Sequence, residues 1–328
     1  MRRRDFVTLV GGIAASWPLA AHAQQGSMPV VGYLHILSKT AATTTTNGFL
    51  KGLAEGGFVE GKNVQIQYRF ADGQTGKLPA LAVDLVQSKV NVIAAMGGSS
   101  AAIAAKEATA TIPIVFTMGD ADPVQVGVVS NLARPGANLT GISILGGALG
   151  AKRLDLLREL VPTASKIAIL VNPQNKTTVA ELEQMTSAIS AQNQKAFVIN
   201  STLGENLESA FSAVIEADAD ALLVTADPIF TERRKQIIAF AADHKIPAIY
   251  QWNLFVLDGG LISYGADLAD IYRQSGAYTA RVLKGEKPGD LPVMQPTKFD
   301  LFVNLKTAKT LGITVPQSLL VAADNVIE

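Results

Sequence analysis

The stretch VNVIAAMGGSSAAIAA, residues 90–105, contains the repeating unit of the predicted fold. A short apolar run ends at Met96, two glycines and two serines follow, and an alanine-rich segment with high helix propensity comes directly after them. A buried strand, a tight corner and a helix in this order are typical of a parallel sheet covered by helices. The sequence therefore predicts that residues 97–100 lie at the carboxyl end of a strand, where such sheets bind their ligands.

The same unit recurs along the chain in two rounds. From Val30 onward, apolar strand-like runs alternate with helical segments, and a second round begins near Lys152. The helices that we predict with definite bounds cover residues 47–55, 78–87, 124–132, 152–160, 233–242 and 268–283. Because a chain of 328 residues exceeds the typical single-domain size of about 100–200 residues, we expect two doubly wound α/β lobes with a binding cleft between them.

The first 25 residues, MRRRDFVTLVGGIAASWPLAAHAQQ, have the features of an export signal. The pair Arg3-Arg4 fits a twin-arginine signal, a weakly apolar stretch follows over residues 7–20, and Ala21-His22-Ala23 fits a small-x-small cleavage site. An ordinary basic amphipathic helix is the alternative. We expect residues 1–23 to be a signal peptide that is cleaved near Ala23, and the protein to act in the periplasm.

Composition limits the kinds of site that the chain can build. The absence of cysteine excludes disulfides, thiolate nucleophiles and sulfur-ligated metals. Only His35 and His244 lie outside the signal, so we expect no metal site, and we expect no cofactor because the periplasm lacks a supply of ATP or reduced nicotinamide. The formal net charge is zero, and the chain without its signal is slightly acidic, which argues against nucleic acid as a partner.

The corner at residues 97–100 does not match the known nucleotide or hydrolase motifs. It contains neither the glycine spacing of a dinucleotide-binding loop nor the lysine of a P-loop, and Ser99 is followed by Ser100 and Ala101 where a nucleophile elbow needs a glycine. Free amides at a helix N-terminus together with two hydroxyls suit a small anion such as a carboxylate. The alternative is that Ser99 or Ser100 merely caps the helix.

Other polar residues follow the predicted strands. Asp227 ends an apolar strand in front of Pro228, where its carboxylate could receive a ligand ammonium or simply cap the next helix. Asp120 and Asp122 in MGDADPV, and Asn172 in front of a proline, have the same ambiguity between ligand contact and turn residue.

Aromatic residues at or near strand ends could form the walls of the cleft, although packing in the core is the alternative for each. These residues are Tyr33, Phe116, Phe230, Tyr250, Trp252 and Tyr264. Trp252 is flanked by two polar residues, Gln251 and Asn253, and is the candidate that we favour for stacking on a ligand.

Six segments carry a resemblance to a known family. They are VVGYL, SNLARPGANLTGIS, TADPIF, IPAIY, GGLISYGAD and LKGEKPGDLPVMQPTKFDLFVNLKTAKTLGITVPQSLLVAAD. In these segments, and over essentially the whole chain after the signal, the sequence resembles the tryptophan/tyrosine-type substrate-binding proteins of ABC importers. The stretches RPGANLTG and NLKTAKTLG are the most specific, since neither belongs to a general nucleotide-binding or hydrolase motif.

The resemblance implies a type I periplasmic-binding-protein fold, in which two doubly wound parallel-sheet lobes are joined by three crossing segments and close on one small ligand. It places the crossings near residues 141–145, 264–267 and 291–298. One lobe would consist of residues 28–142 plus about 266–292, and the other of residues 143–265 plus about 293–328.

The resemblance also implies that the two lobes bind different groups of the ligand. Ser99, Ser100 and Thr117 of the first lobe would hold a carboxylate, and Asp227 of the second would reach an ammonium. The residues that we expect to contact the ligand are Tyr33, His35, Gly98, Ser99, Ser100, Thr117, Asp120, Ser143, Asn172, Asp227, Trp252 and Tyr264.

We therefore expect a periplasmic solute-binding protein, without enzymatic activity, that captures a small carboxylate for an ABC permease of the inner membrane. The expected ligand is an aromatic or branched amino acid or a related compound, and the expected state is a monomer. One alternative is a periplasmic hydrolase, which lacks a recognisable nucleophile with its base. A second is a ligand-sensing subunit of a membrane receptor, which would use the same closing clamp.

Overall fold

The computed structural model describes residues 28–119, 122–144, 149–202 and 206–328 of the chain. The predicted signal peptide and Asp120 lie outside these ranges. Within them, no helix combines the length and the apolar character that crossing a bilayer would require.

A first sheet of five parallel strands forms from the N-terminal part of the chain, in the spatial order β2-β1-β3-β4-β5. The strands are β1 Val30–His35, β2 Gln65–Phe70, β3 Val92–Met96, β4 Ile114–Met118 and β5 Leu139–Ser143. The helices of this part are α1 Thr43–Glu55, α2 Leu78–Gln87 and α3 Ser99–Ala108.

A second sheet of seven strands has the order β12-β11-β10-β9-β8-β6-β7. Its strands are β6 Lys166–Val171, β7 Lys195–Asn200, β8 Ala221–Val224, β9 Ala248–Tyr250, β10 Ile262–Gly265, β11 Asp300–Asn304 and β12 Asn325–Ile327. The remaining helices are α4 Leu149–Leu160, α5 Lys176–Ser190, α6 Leu207–Glu216, α7 Pro228–Glu232, α8 Arg234–Asp243, α9 Asn253–Leu257, α10 Leu268–Leu283, α11 Leu305–Leu311 and α12 Gln317–Ala322.

Strand β3 shows why both faces of the first sheet are covered. All five of its residues are buried, and they alternate between two apolar clusters: Val92, Ala94 and Met96 belong to the cluster that includes residues of α1 and α10, whereas Ile93 and Ala95 belong to the cluster with α2 and α3. Side chains of a strand alternate between the two faces of a sheet, so a continuous apolar run requires helices on both. This is the doubly wound arrangement that the sequence predicts.

The chain passes between the two sheets three times. It leaves β5 at Ser143 and enters α4 at Leu149, and it returns between the end of β10 at Gly265 and the start of α10. Helix α10 packs on α1 so closely that a Cβ at Gly52 would lie 1.7 Å from the carbonyl oxygen of Arg273. The third passage begins after Met294 and ends at β11. Met294 itself pairs with Ile142 of β5 in an isolated β-bridge and so belongs to the first sheet. The predicted architecture of two lobes joined by three crossing segments is confirmed.

Three of the differences between the observed and the predicted elements are informative. The helix predicted over residues 124–132 is wrong: turns cover residues 123–127, the amides of Val128 and Val129 both bond to the carbonyl of Pro123, and Gly127 has a left-handed φ of 71°. Helix α1 begins at Thr43 and not at residue 47, because packing overrides the low helix propensity of threonine. Strand β11 runs antiparallel to β10, so the second sheet is not purely parallel.

Candidate ligand-binding site

Two adjoining cavities lie at the carboxyl ends of the strands, between residues of the two sheets. With the solvent-open part included, the first spans about 520 Å³ and the second, which is wider and more polar in its lining, about 1420 Å³. Four residues line both cavities, namely Gly97, Gly98, Asp227 and Pro228. The corner after β3 and the start of α7 therefore form the boundary between an apolar and a polar compartment.

The wall of the first cavity is mainly apolar. Its large side chains are Leu37, Met118, Ile144, Trp252, Leu268 and Tyr272. Four of them, Ile144, Trp252, Leu268 and Tyr272, belong to one apolar cluster with members in both sheets, so this wall is continuous with the core. Polar groups are supplied by Thr45, Thr117 and Thr231 and by Asp227. Such a cavity suits an apolar or aromatic group of moderate size.

The corner after β3 depends on its glycines. Gly97 has φ 92°, and a Cβ there would lie 2.6 Å from Cγ2 of Ile36 and 2.9 Å from Cε1 of His35. The amide of Gly98 donates to the carbonyl of Thr117 at 3.1 Å, which ties the corner to the end of β4. Only glycine accommodates this conformation and this contact together.

Helix α3 begins at Ser99 with its first turn at the second cavity. Its N-cap residue is Gly98, so neither serine occupies the N-cap position itself. Ser99 and Ser100 line the second cavity. The first amides of an α-helix have no partner within the helix and carry its partial positive charge, which makes this end suitable for an anion.

At least three donors hold Asp227 at the start of α7. Its Oδ1 accepts from the amide of Ile229 at 2.8 Å, and its Oδ2 accepts from Nδ2 of both Asn172 and Asn175 at 3.0 Å each. The residue is only 4 % exposed and nevertheless lines both cavities. It is therefore an N-cap, as one interpretation of the sequence had it, and at the same time a preorganised negative charge at the boundary of the two compartments.

Residues 30–327 match the model of the ABC transporter substrate binding protein family. The chain belongs to this family.

Three known proteins show the likeness over nearly the full length of this substrate-binding protein. A tyrosine-binding protein of Clostridioides difficile (strain R20291) is 27 % identical over 296 residues, which cover 90 % of this chain and 83 % of that protein. The crystal structure of an ABC domain in complex with L-Trp from Streptococcus pneumonia is 25 % identical, with a TM-score of 0.82 and coverage of 92 % and 100 %. A conserved domain protein from Vibrio cholerae O1 biovar El Tor is 29 % identical, with a TM-score of 0.82 and coverage of 91 % and 99 %.

The fold of this substrate-binding protein is that of type I periplasmic binding proteins. A leucine-binding protein from Thermotoga maritima, only 13 % identical, superposes with a TM-score of 0.50 over 72 % of this chain and 69 % of its own. At such an identity the likeness concerns the fold alone.

Seven of the candidate residues of this substrate-binding protein lie at the two cavities. Gly98 and Asp227 line both, Thr117 and Trp252 line the first, and Ser99, Ser100 and Asn172 line the second. The hydroxyl of Thr117 is 2.6 Å from that of Ser275 on α10, which orients it at the cavity floor.

Tyr33 and His35 lie beneath the first cavity and do not line it. Both are fully buried on β1, because side chains of a doubly covered strand point at the flanking helices and not beyond the strand end. The imidazole of His35 accepts from the amide of Leu37 through Nδ1 at 3.0 Å and stacks on the ring of Tyr272 at 5.8 Å between centroids. Burial lowers the pKa of His35 from 6.5 to about 3, so it is neutral and supports the lining residues.

Two further candidates lie at the crossings and not at the cavities. Ser143 is fully buried, and its amide donates to the carbonyl of Met294 at 2.9 Å. Tyr264 packs against Phe299, and its carbonyl accepts from Arg153. Asp120 lies outside the described residues.

Sequence reasoning missed several lining residues of this substrate-binding protein. Leu268 and Tyr272 are on α10, which follows the second crossing, and Thr231 is on α7. The sequence pattern indicates the loops that follow strands, whereas one face of a helix next to a crossing also reaches the cleft. The threonine run that forms the first turn of α1 contributes Thr45 in the same way. Among the described residues, no group of three or more histidines or acids could hold a metal ion.

Proposed function

We propose that this substrate-binding protein captures an amino acid with a large apolar side chain, aromatic or branched, for an ABC importer. The observation that carries the proposal is the shared boundary of the two cavities, where the carboxylate of Asp227 and the N-terminus of α3 flank an apolar compartment. An α-amino acid needs these three features: an anion for its ammonium, amide donors for its carboxylate and an apolar cavity for its side chain. The L-Trp complex and the tyrosine-binding relative support this ligand class.

In the proposed complex, Asp227 accepts from the ligand ammonium, since its carboxylate oxygens are hydrogen-bond acceptors and the residue lines both cavities. The first-turn amides of α3, with the hydroxyls of Ser99 and Ser100, bind the carboxylate. The side chain occupies the first cavity beside Trp252 and Tyr272, whose rings supply apolar contact area for an aromatic or branched side chain.

The proposed mechanism is hinged closure. Residues 28–142 with about 266–292 would move as one lobe and residues 143–265 with about 293–328 as the other, by rotation about the three crossings. A ligand that bonds to α3 of one lobe and Asp227 of the other contacts both at once only in the closed state, and it shifts the equilibrium by its differential affinity for that state. An inner-membrane permease would recognise the closed form of a monomer, and the protein would catalyse no reaction.

The proposed location is the periplasm, after cleavage of the signal near Ala23. The arginine pair and the small-x-small site of the sequence support this location, and the family is that of ABC transporter substrate binding proteins. N-terminal sequencing of protein recovered from the periplasm would test the cleavage site. A mature protein that retains its first 23 residues would contradict it.

Calorimetry with two ligands tests the proposed function. L-tyrosine or L-tryptophan should bind to the wild type, and Asp227→Asn should weaken that binding at least about tenfold by removing the charge of the acceptor. The desamino analogue of tyrosine, which lacks the ammonium, should bind weakly and equally to both proteins. The control is Asp267→Asn, which changes an N-cap aspartate outside both cavities. If no aromatic or branched amino acid binds to the wild type, the ligand class is wrong.

A further inference from the structure

A carboxylate of the second lobe bonds twice to one serine of the first. The amide of Ser38 donates to Oε2 of Glu232 at 2.8 Å, and the hydroxyl of Ser38 donates to Oε1 of the same carboxylate at 2.6 Å. The two residues are 194 positions apart in the chain. Ser38 follows β1, and Glu232 is the last residue of α7, so this pair spans the cleft directly.

Both partners are held rigidly on their own lobe. The hydroxyl of Ser38 also accepts from the amide of Ala41 at 3.2 Å, and its carbonyl accepts from the amide of Ala42 at 3.0 Å, so the loop in front of α1 is ordered by the same residue. Glu232 is carried by a five-residue helix whose N-cap is Asp227. Two donors from one residue meet two oxygens of one carboxylate, and this geometry exists at one mutual orientation of the lobes only.

Each partner of this pair is the sequence neighbour of a residue that lines the first cavity. Leu37, next to Ser38, lines the first cavity, and so does Thr231, next to Glu232. The hydroxyl of Thr231 donates to the carbonyl of Asp227 at 3.1 Å, which links the two ends of α7. A ligand bonded to Asp227 therefore holds in place the same short helix that carries Glu232.

We propose that Glu232 is a positioning residue that latches the closed lobes through Ser38 and thereby slows ligand release. The proposal rests on the proposed function, because it assumes closure around a ligand. Opening the cleft separates the carboxylate from both donors, so the latch contributes to the closed state alone. An interaction made only in the closed state shifts the equilibrium towards it and acts on affinity mainly through the dissociation rate.

The latch is tested by ligand kinetics in variants that leave the cavities intact. Glu232→Ala should raise koff for L-tyrosine about tenfold, which corresponds to about 1.4 kcal/mol, with little change in kon. Ser38→Ala should raise koff less, because its amide still donates. The double variant should match Glu232→Ala, since both changes break one contact. The control is Glu216→Ala, which changes an exposed glutamate at the corresponding C-terminal position of α6.

A second readout separates a failed latch from a failed ligand assignment. Because the chain has no cysteine, spin labels at Lys51→Cys and Lys235→Cys, two exposed positions on α1 and α8, report the distance between the lobes without background. Glu232→Ala should shift the distances to longer values in the absence of ligand, even if L-tyrosine proves to be the wrong ligand. Glu232→Gln replaces Glu232→Ala if the latter does not fold. Wild-type koff together with an unchanged distance distribution would overturn the latch.

Discussion

The guanidinium of Arg153 donates through Nε to the main-chain carbonyl of Tyr264 over 2.8 Å. Arg153 is on α4, the helix that follows the first crossing, and Tyr264 is on β10, directly in front of the second. With 1 % of its surface exposed, Arg153 is the largest fully buried side chain of the described residues. This contact joins the helix that follows the first crossing to the strand that leads into the second.

Arg153→Ala should therefore lower the free energy of unfolding by about 3 kcal/mol, because it removes a large buried side chain and a hydrogen bond to a buried carbonyl. Urea denaturation measures the change. The neighbouring exposed Lys152, replaced by alanine, should change stability by less than about 0.5 kcal/mol. A loss below about 1 kcal/mol in Arg153→Ala would mean that this arginine is not structurally important.

Gly97→Ala should destabilise the protein and weaken ligand binding, because a Cβ at this position meets Ile36 and His35. Gly57 is a matched control: it has the same φ of 92°, but nothing lies within 4 Å of its Cβ position. Gly57→Ala should cost only the strain of a left-handed backbone, about 1–2 kcal/mol. Gly97→Ala should cost clearly more in urea denaturation. Equal losses in the two variants would show that the corner tolerates a side chain.

Trp252 should report ligand binding by its fluorescence. It is the only tryptophan outside the predicted signal, and it lines the first cavity while only 8 % exposed. L-tyrosine should change its emission, and Trp252→Ala should weaken binding about three- to tenfold in calorimetry through loss of the aromatic contact. Tyr250→Phe, a change at a buried aromatic that does not line the cavity, should leave affinity unchanged. An emission spectrum that saturating L-tyrosine does not alter would place the ligand elsewhere.

His35 should make the protein less stable as the pH falls below about 6.5. The unfolded histidine binds a proton near its ordinary pKa of 6.5, whereas burial lowers the pKa in the native state to about 3. The unfolded state therefore binds more protons between these values, and acidification favours it. From pH 7 to pH 5 the contribution of His35 should decrease by about 2 kcal/mol.

His35→Asn tests this pH dependence, since the amide oxygen can replace Nδ1 as acceptor for Leu37 but does not titrate. The variant should show a flatter dependence of unfolding free energy on pH over this window. Carboxylates contribute equally to both proteins and cancel in the comparison. Parallel curves for the wild type and the variant would show that His35 is not buried in its neutral form.

Elements with strong local periodicity were predicted well. The bounds of α2 and α10 agree with the structure at both ends, because their apolar spacing and their flanking residues point to the same limits. The helix predicted over residues 124–132 failed where a left-handed glycine and consecutive valines interrupt the pattern. No local sequence feature indicates that β11 runs antiparallel to β10, since strand direction depends on the path of the preceding crossing.

Only part of the candidate site was predicted, because local sequence patterns locate strand ends but not the faces of strands and helices that reach the cleft. Residues after a strand, such as Asp227 and Ser99, could be placed at the cleft because all parallel strands end at the same edge. Tyr33 and His35 were misplaced because the alternation along a buried strand directs their side chains at the flanking helices. Tyr272 was missed because it reaches the cavity from α10, a helix that returns from the other lobe.

The sequence by itself determined the alternation of strands and helices, the exclusion of thiol chemistry and the glycine corner after β3, because short-range sterics and composition control these features. Only the tertiary structure decided that Asp227 and the N-terminus of α3 face one space and that Ser38 meets Glu232 across 194 positions. These contacts depend on the relative orientation of two separately packed lobes, which the three crossings fix. No local pattern of residues encodes that orientation.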